Sequence, residues 1–245
     1  EFRRLLFRSP LSARGYLQFL DEDWDVCCLP SYPVGGMSEF IRRMEQRALQ
    51  SGVRIFKSEP VSEINGGRAR GGRYVLTTTN YTVTANRLVI AVDQNGFKYI
   101  KGNIAEQIQA QPQFQDLQPI KVATITQWWP SAWWESAVPG KNVRRAWTTE
   151  QCLNALEVPL NDYAKAQNVT RSVYDDDIQC VNFWENTARL GIPVVEAELQ
   201  RQLQALFPSA TIPAPLKTHV QIWPAGWYFI RAGSPFSNAD IGTWA

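Results

Sequence analysis

Lys121 is the residue whose surroundings say most about possible chemistry. It lies in Ile120-Lys121-Val122-Ala123-Thr124-Ile125-Thr126-Gln127, a run that alternates as a strand does. Alternation puts Lys121 on one face with Ala123, Ile125 and Gln127. A lysine on so apolar a surface loses hydration, which lowers its pKa toward a range useful in proton transfer. The same run also suits a lysine that snorkels its ammonium to water from a sheet edge. His219 is the only histidine, so a histidine-based metal cluster is excluded and a structural or surface role is expected for it. Cys27, Cys28, Cys152 and Cys180 lack the spacing of a zinc knuckle and read as buried free thiols. Ten tryptophans include Trp128-Trp129 and Trp133-Trp134. These four read as core or interface packing, or alternatively as stacking platforms for a sugar. The sequence has no G-x-G-x-x-G, no G-x-x-x-x-G-K-[ST], no G-x-S-x-G and no H-E-x-x-H.

The elements that would carry these residues mix both periods. Helical spacing of Phe40, Ile41, Met44, Ala48 and Leu49 predicts a helix with Ser38 as N-cap and Gly52 just past its end. Val53–Phe56 and Val61–Ile64 read as strands, followed by a β-pair over Tyr74–Thr79 and Tyr81–Thr84 around turn residues. Leu88–Val92 is a continuous apolar run, expected as a central strand covered on both faces. A helix is expected over about 100–110, and strands over Val143–Thr148, Ile178–Trp184, Thr218–Trp223 and Trp227–Ile230. Pro193 opens a further amphipathic helix. The expected fold is α+β: a mixed or antiparallel sheet backed by helices, with a smaller layer around 53–92.

Composition narrows the function classes. With 245 residues, 44% hydrophobic and 20% charged, the chain can bury a real core. A net charge of +2 supplies no large field for steering nucleic acid, and no nucleic-acid partner is expected. No apolar run is long enough to cross a bilayer. Residues 1–20 read as a basic amphipathic helix, since no unbroken apolar core or cleavage site of a signal peptide is present. Two sequons, Asn80-Tyr81-Thr82 and Asn168-Val169-Thr170, leave a secreted or organellar location open.

One ordered string is more specific. Val34-Gly35-Gly36-Met37 precedes the first helix, then come Gly52-Val53-Arg54-Ile55, Pro60-Val61-Ser62-Glu63-Ile64, the β-pair and Arg87-Leu88-Val89-Ile90-Ala91-Val92. This order, continued by Lys121 to Trp129 and by His219 to Trp223, resembles the flavin-containing amine oxidase family of L-amino-acid and monoamine oxidase type, over roughly residues 29–245. The resemblance implies oxidation of an amine or L-amino acid by hydride transfer to FAD, with release of peroxide. It implies FAD contacts at Gly35, Gly36, Val61 (through its backbone) and Ala91, and a catalytic role for Lys121 beside the flavin. It places Trp147 and Trp223 in the substrate pocket; a family tyrosine that helps bind carboxylate is matched by Trp147, which has no hydroxyl.

The implied organisation is a lead-in at 1–34, a partial Rossmann-like FAD-binding domain at 35–95 and a substrate domain at 96–245. The dinucleotide fingerprint and the C-terminal flavin-ring segment are not in these residues, so the 245 residues alone are expected to bind FAD weakly or not at all. A second expectation is a non-catalytic oxidase-like module, or a subunit that binds a protein partner or the remainder of the same polypeptide through a tryptophan-rich surface.

Overall fold

The computed structural model describes residues 36–66, 72–139, 145–147, 152–158 and 166–244, with backbone alone at 145–147 and 155. Within these residues the chain is α+β, with seven α-helices and two sheets. It divides into two compact units. One takes in the described residues of Phe40–Pro119 and Tyr228–Ala245; the other takes in Ile120–Trp227 with the described residues of Tyr32–Glu39.

The first unit takes in α1, Met37–Gln50, from Phe40 onward. Ser38 lies inside its first turn and is not the cap. Its end is as the sequence predicts: Gly52 has φ of 81°, its N–H donates to Leu49 O at 3.0 Å, and Val53 N–H donates to Ala48 O at 3.1 Å. These paired bonds close the helix with a Schellman motif, which needs a residue tolerant of the left-handed conformation. A three-stranded sheet follows, ordered β1 (Val61–Asn65), β2 (Tyr74–Thr78), β3 (Thr82–Ala85), with both pairings antiparallel. The helices α2 (Gln94–Phe97), α3 (Asn103–Gln109) and α4 (Pro112–Asp116) complete it. The core of this unit is Ile64, Phe97, Ile100 and Ala105, with Val61, Leu88, Ile90 and Phe114 packed alongside.

Two expected strands are absent here. Val53–Phe56 is unpaired and its apolar side chains are exposed. Leu88–Val92 is likewise unpaired: Leu88 and Ile90 reach the core, whereas Val89 is 89% exposed and Val92 52%. A central strand needs a hydrogen-bonded neighbour on each side and cover on both faces. Among the described residues this segment has neither.

The second unit is built on a five-stranded sheet ordered β5 (Arg145–Trp147), β6 (Ala155–Glu157), β7 (Val169–Asp175), β4 (Leu117–Trp128), β8 (Lys217–Ile230), of which Leu117–Pro119 and Tyr228–Ile230 are counted with the first unit. The β5–β6, β6–β7 and β7–β4 pairings are antiparallel. Helices α5 (Ile178–Arg189) and α6 (Ile192–Leu206) cover one face. Pro193 stands in the first turn of α6, as predicted.

Ile178–Trp184, expected as a strand, is instead the first half of α5. Asp177 caps it, its Oδ1 accepting from Gln179 N at 2.8 Å and Cys180 N at 3.3 Å. The β-branched and aromatic residues of Ile178–Trp184 suit a strand, but the cap and the contacts of Val181 and Trp184 with the sheet override that propensity. The extended element is the preceding Val169–Asp175.

The core of the second unit joins Ala123, Ile125 and Val173 of the sheet to Val181, Trp184, Val195, Leu199 and Leu203 of the helices. Trp129, Trp133 and Trp134 are 2–4% exposed and meet edge to face at 5.6 and 6.0 Å. Trp129 Nε1 donates to Thr170 Oγ1 at 2.9 Å. Rings buried in this way cannot be sugar platforms, so core packing is their role. Cys152 and Cys180 form a disulfide, which corrects the expectation of free thiols for that pair. Spacing alone could not reveal it, because the bond depends on α5 folding back against the segment before β6. Cys27 and Cys28, Gly35 and the expected helix over residues 1–20 lie outside the described residues.

Candidate functional site

Alternation along β4 and β8 gives the sheet of the second unit two distinct faces. Ala123, Ile125 and Gln127 point to the helices, as do Val220 and Ile222. Lys121 is on this helix-covered face: its Nζ lies 2.7 Å from Glu185 Oε2 on α5, and Glu185 Oε1 also accepts from Arg189 at 3.0 Å. The lysine's hydrogen bond is the largest cause holding the Glu185 carboxyl below its usual pKa. Lys121 therefore shares its face with apolar residues, as its spacing indicates. It is a third exposed and carries an ion pair that the spacing does not reveal.

The other face carries a different set. Trp223 Nε1 donates to Thr124 Oγ1 at 3.3 Å, and Trp227 Nε1 donates to the Tyr174 hydroxyl at 2.5 Å. Thr124 pairs with Tyr174 across β4 and β7, and Thr126 pairs with Arg171 beyond a bulge. The Arg171 guanidinium stacks 4.5 Å over the Tyr174 ring and is ion-paired to Glu157. Trp223 and Trp227 are 49% and 45% exposed. Burial, reinforced by Asp176, raises the Tyr174 pKa, so its hydroxyl stays protonated near neutrality. That hydroxyl accepts one bond from Trp227 and keeps its own O–H as a donor. Two half-open indoles on one sheet face, with a protonated phenol bonded to one of them, can hold a flat or apolar ligand and donate to an acceptor on it.

Lys121 and Trp223 thus occupy opposite faces of one sheet. Trp147 lies in β5, and its side chain is outside the described residues. In the first unit, Val61 opens β1 and is half-buried against the core. Ala91 is exposed in the unpaired segment. Gly36, at the head of α1, has φ of 82° and open space where a Cβ would stand. Tyr174, Trp227 and Arg171 belong to no motif; period-two placement opposite Thr124 and Thr126 is the signal that could have found them. His219 is exposed on β8.

The first unit also has a cleft of about 430 Å³ lined by Asp93, Gln94, Leu117, Tyr228, Ile230 and Ile241. Tyr228 accepts there from Asn95 N–H at 3.0 Å, and burial raises its pKa.

The fold has solved counterparts. A protein assigned as a protoporphyrinogen oxidase from an Exiguobacterium species matches 81% of this chain at a TM-score of 0.57 and 15% identity. Putrescine oxidase with putrescine bound matches 76% at 0.55 and 15%. The chain spans 41% and 38% of those two proteins. No curated sequence relative matches it. No helix among the described residues is long and apolar enough to cross a membrane. The family model for flavin-containing amine oxidoreductases matches residues 9–244, nearly the whole chain, and the chain belongs to that family.

Proposed function

We propose that this chain is the substrate-binding part, with a portion of the cofactor-binding part, of an FAD-dependent oxidase acting on an amine or L-amino acid. The observation that carries the reading is the open sheet face of Tyr174, Trp223 and Trp227, in a chain of this family. FAD, when bound, takes up the hydride from the carbon bearing nitrogen and passes the electrons to oxygen as peroxide. Gly36 and Val61 suit the nucleotide end of that cofactor. The open, left-handed Gly36 admits a close approach of backbone to ligand, and Val61 offers strand backbone.

The protein's own contribution is binding and exclusion of water. The two indoles supply an apolar wall, and the Tyr174 O–H donates to the substrate. The Lys121–Glu185 pair fixes α5 against β4 on the opposite, helix-covered face, so we assign Lys121 to support of the sheet rather than to proton handling.

The native polypeptide should carry flavin absorbance and release peroxide with members of an amine and amino-acid panel. Lys121→Met should lower the melting temperature and leave kcat within a few-fold, because the lysine braces α5 from the face opposite the two indoles. A native protein with no flavin and no peroxide from any member of the panel would refute the assignment. A kcat lowered by about 10²-fold in Lys121→Met, in the range of general acid–base contributions, would instead put the lysine in the chemistry.

A second reading, a non-catalytic oxidase-like subunit, draws its support from α1. Met37, Phe40, Ile41, Met44 and Leu49 are 49–61% exposed along that helix, a surface that a protein partner or further polypeptide would cover. The mass of the intact native polypeptide, and of any complex it forms, separates the two.

A further inference from the structure

The two sequons stand in very different places. Asn80 occupies the exposed turn joining β2 to β3, and Tyr81 and Thr82 after it are exposed as well. Its carboxamide is already oriented: Nδ2 donates to Glu59 Oε1 at 2.5 Å, and the Asn80 N–H donates to Glu59 Oε2 at 3.3 Å. Asn168 is half-buried at a φ of 46°, and the hydroxyl of its Thr170 is sealed in the core between Trp129 Nε1 and Ser172 Oγ. The Cys152–Cys180 disulfide is an independent sign of the compartment, because such bonds persist where the medium is oxidising.

We propose that Asn80 is an N-glycosylation site and that the chain folds in an oxidising secretory compartment. The donor is an oligosaccharide on a polyprenyl pyrophosphate. Its anomeric C–O bond to pyrophosphate breaks, a C–N bond forms to Asn80 Nδ2, one amide proton is lost, and the lipid pyrophosphate leaves. One N–H remains on Nδ2, so the bond to Glu59 can persist in the modified protein. The glycan would stand at the tip of the hairpin beside β3, the edge strand of its sheet, where Val83 is 44% exposed. A bulky hydrophilic group there blocks edge-to-edge pairing with another chain.

Full-length protein from its native source, and from a eukaryotic secretory host, is treated with a peptide N-glycosidase and weighed intact, and the released sites are mapped by peptide mass. The expected result is a mass loss of one glycan, mapped to Asn80. Thr82→Ala should abolish it, while Thr82→Ser, which keeps the sequon, and Asn168→Gln should both retain it. The Thr82→Ser control distinguishes a lost acceptor from a chain that fails to fold. Secreted protein unmodified at Asn80, or modified only at Asn168, would overturn the proposal.

Discussion

Asp175 ends β7 on the helix-covered face, 2% exposed, with its Oδ1 accepting from Asp177 N–H at 2.9 Å. Burial is the main cause that raises its pKa from 3.8 to about 7; the neighbouring carboxylates Asp176 and Asp177 add to it, and the backbone bond opposes it. The folded protein therefore holds a proton that the unfolded chain has released anywhere between about pH 4 and 7. Stability from this group is fully present below that window and declines as pH rises through it. Asp175→Asn keeps an acceptor for Asp177 and needs no proton. It should raise the free energy of unfolding at pH 8 by on the order of 1 kcal/mol or more, and change it little at pH 4. Urea titrations of both proteins across that range provide the check; an equal gain at both pH values would contradict the account.

At the scale of elements, β4 and β8 lie close enough that one glycine matters. A Cβ placed on Gly226 would overlap the Val122 side chain, itself 2% exposed. Gly226→Ala should cost about 1–3 kcal/mol by overpacking, and Val122→Ala in the same chain should recover part of it. Thermal melts of the single and double variants would show whether the two substitutions couple.

Elements with local signals were legible. The Gly52 stop of α1, the β2–β3 hairpin and the proline start of α6 each depend on a few adjacent residues. The β7–α5 segment was not, because Ile178–Trp184 has strand composition and its helix rests on the Asp177 cap and on contacts far along the chain. Leu88–Val92 failed for the converse reason: an apolar run becomes a strand only where partners hydrogen-bond to it. Alternation put Lys121 with its apolar face-mates, and the family resemblance pointed to Trp223. That they face opposite ways, and that Tyr174 and Trp227 join Trp223, depends on the sheet register.

At the scale of the whole molecule, α5 is tied to its unit by the Asp177 cap, the Lys121–Glu185 pair and the Cys152–Cys180 bond. The disulfide closes a loop across a sequence separation of 28 residues, worth about 3.6 kcal/mol in the chain-entropy account. Thermal unfolding with and without reductant should differ by that order, and Cys152→Ser should match the reduced protein. A melting temperature indifferent to reductant would mean that the bond constrains little.

The same bond has a kinetic side. Four thiols can pair in three ways, so Cys27 and Cys28 can compete for Cys152 and Cys180 during oxidation. The native geometry brings Cys152 to Cys180 where α5 packs back toward β6. Oxidation ahead of that docking traps mispaired chains that must reshuffle, a process of seconds to hours that depends on an isomerase or a redox buffer. Yield of native protein should then fall when thiol oxidation outpaces helix docking, and rise when a redox buffer lets mispaired bonds reshuffle.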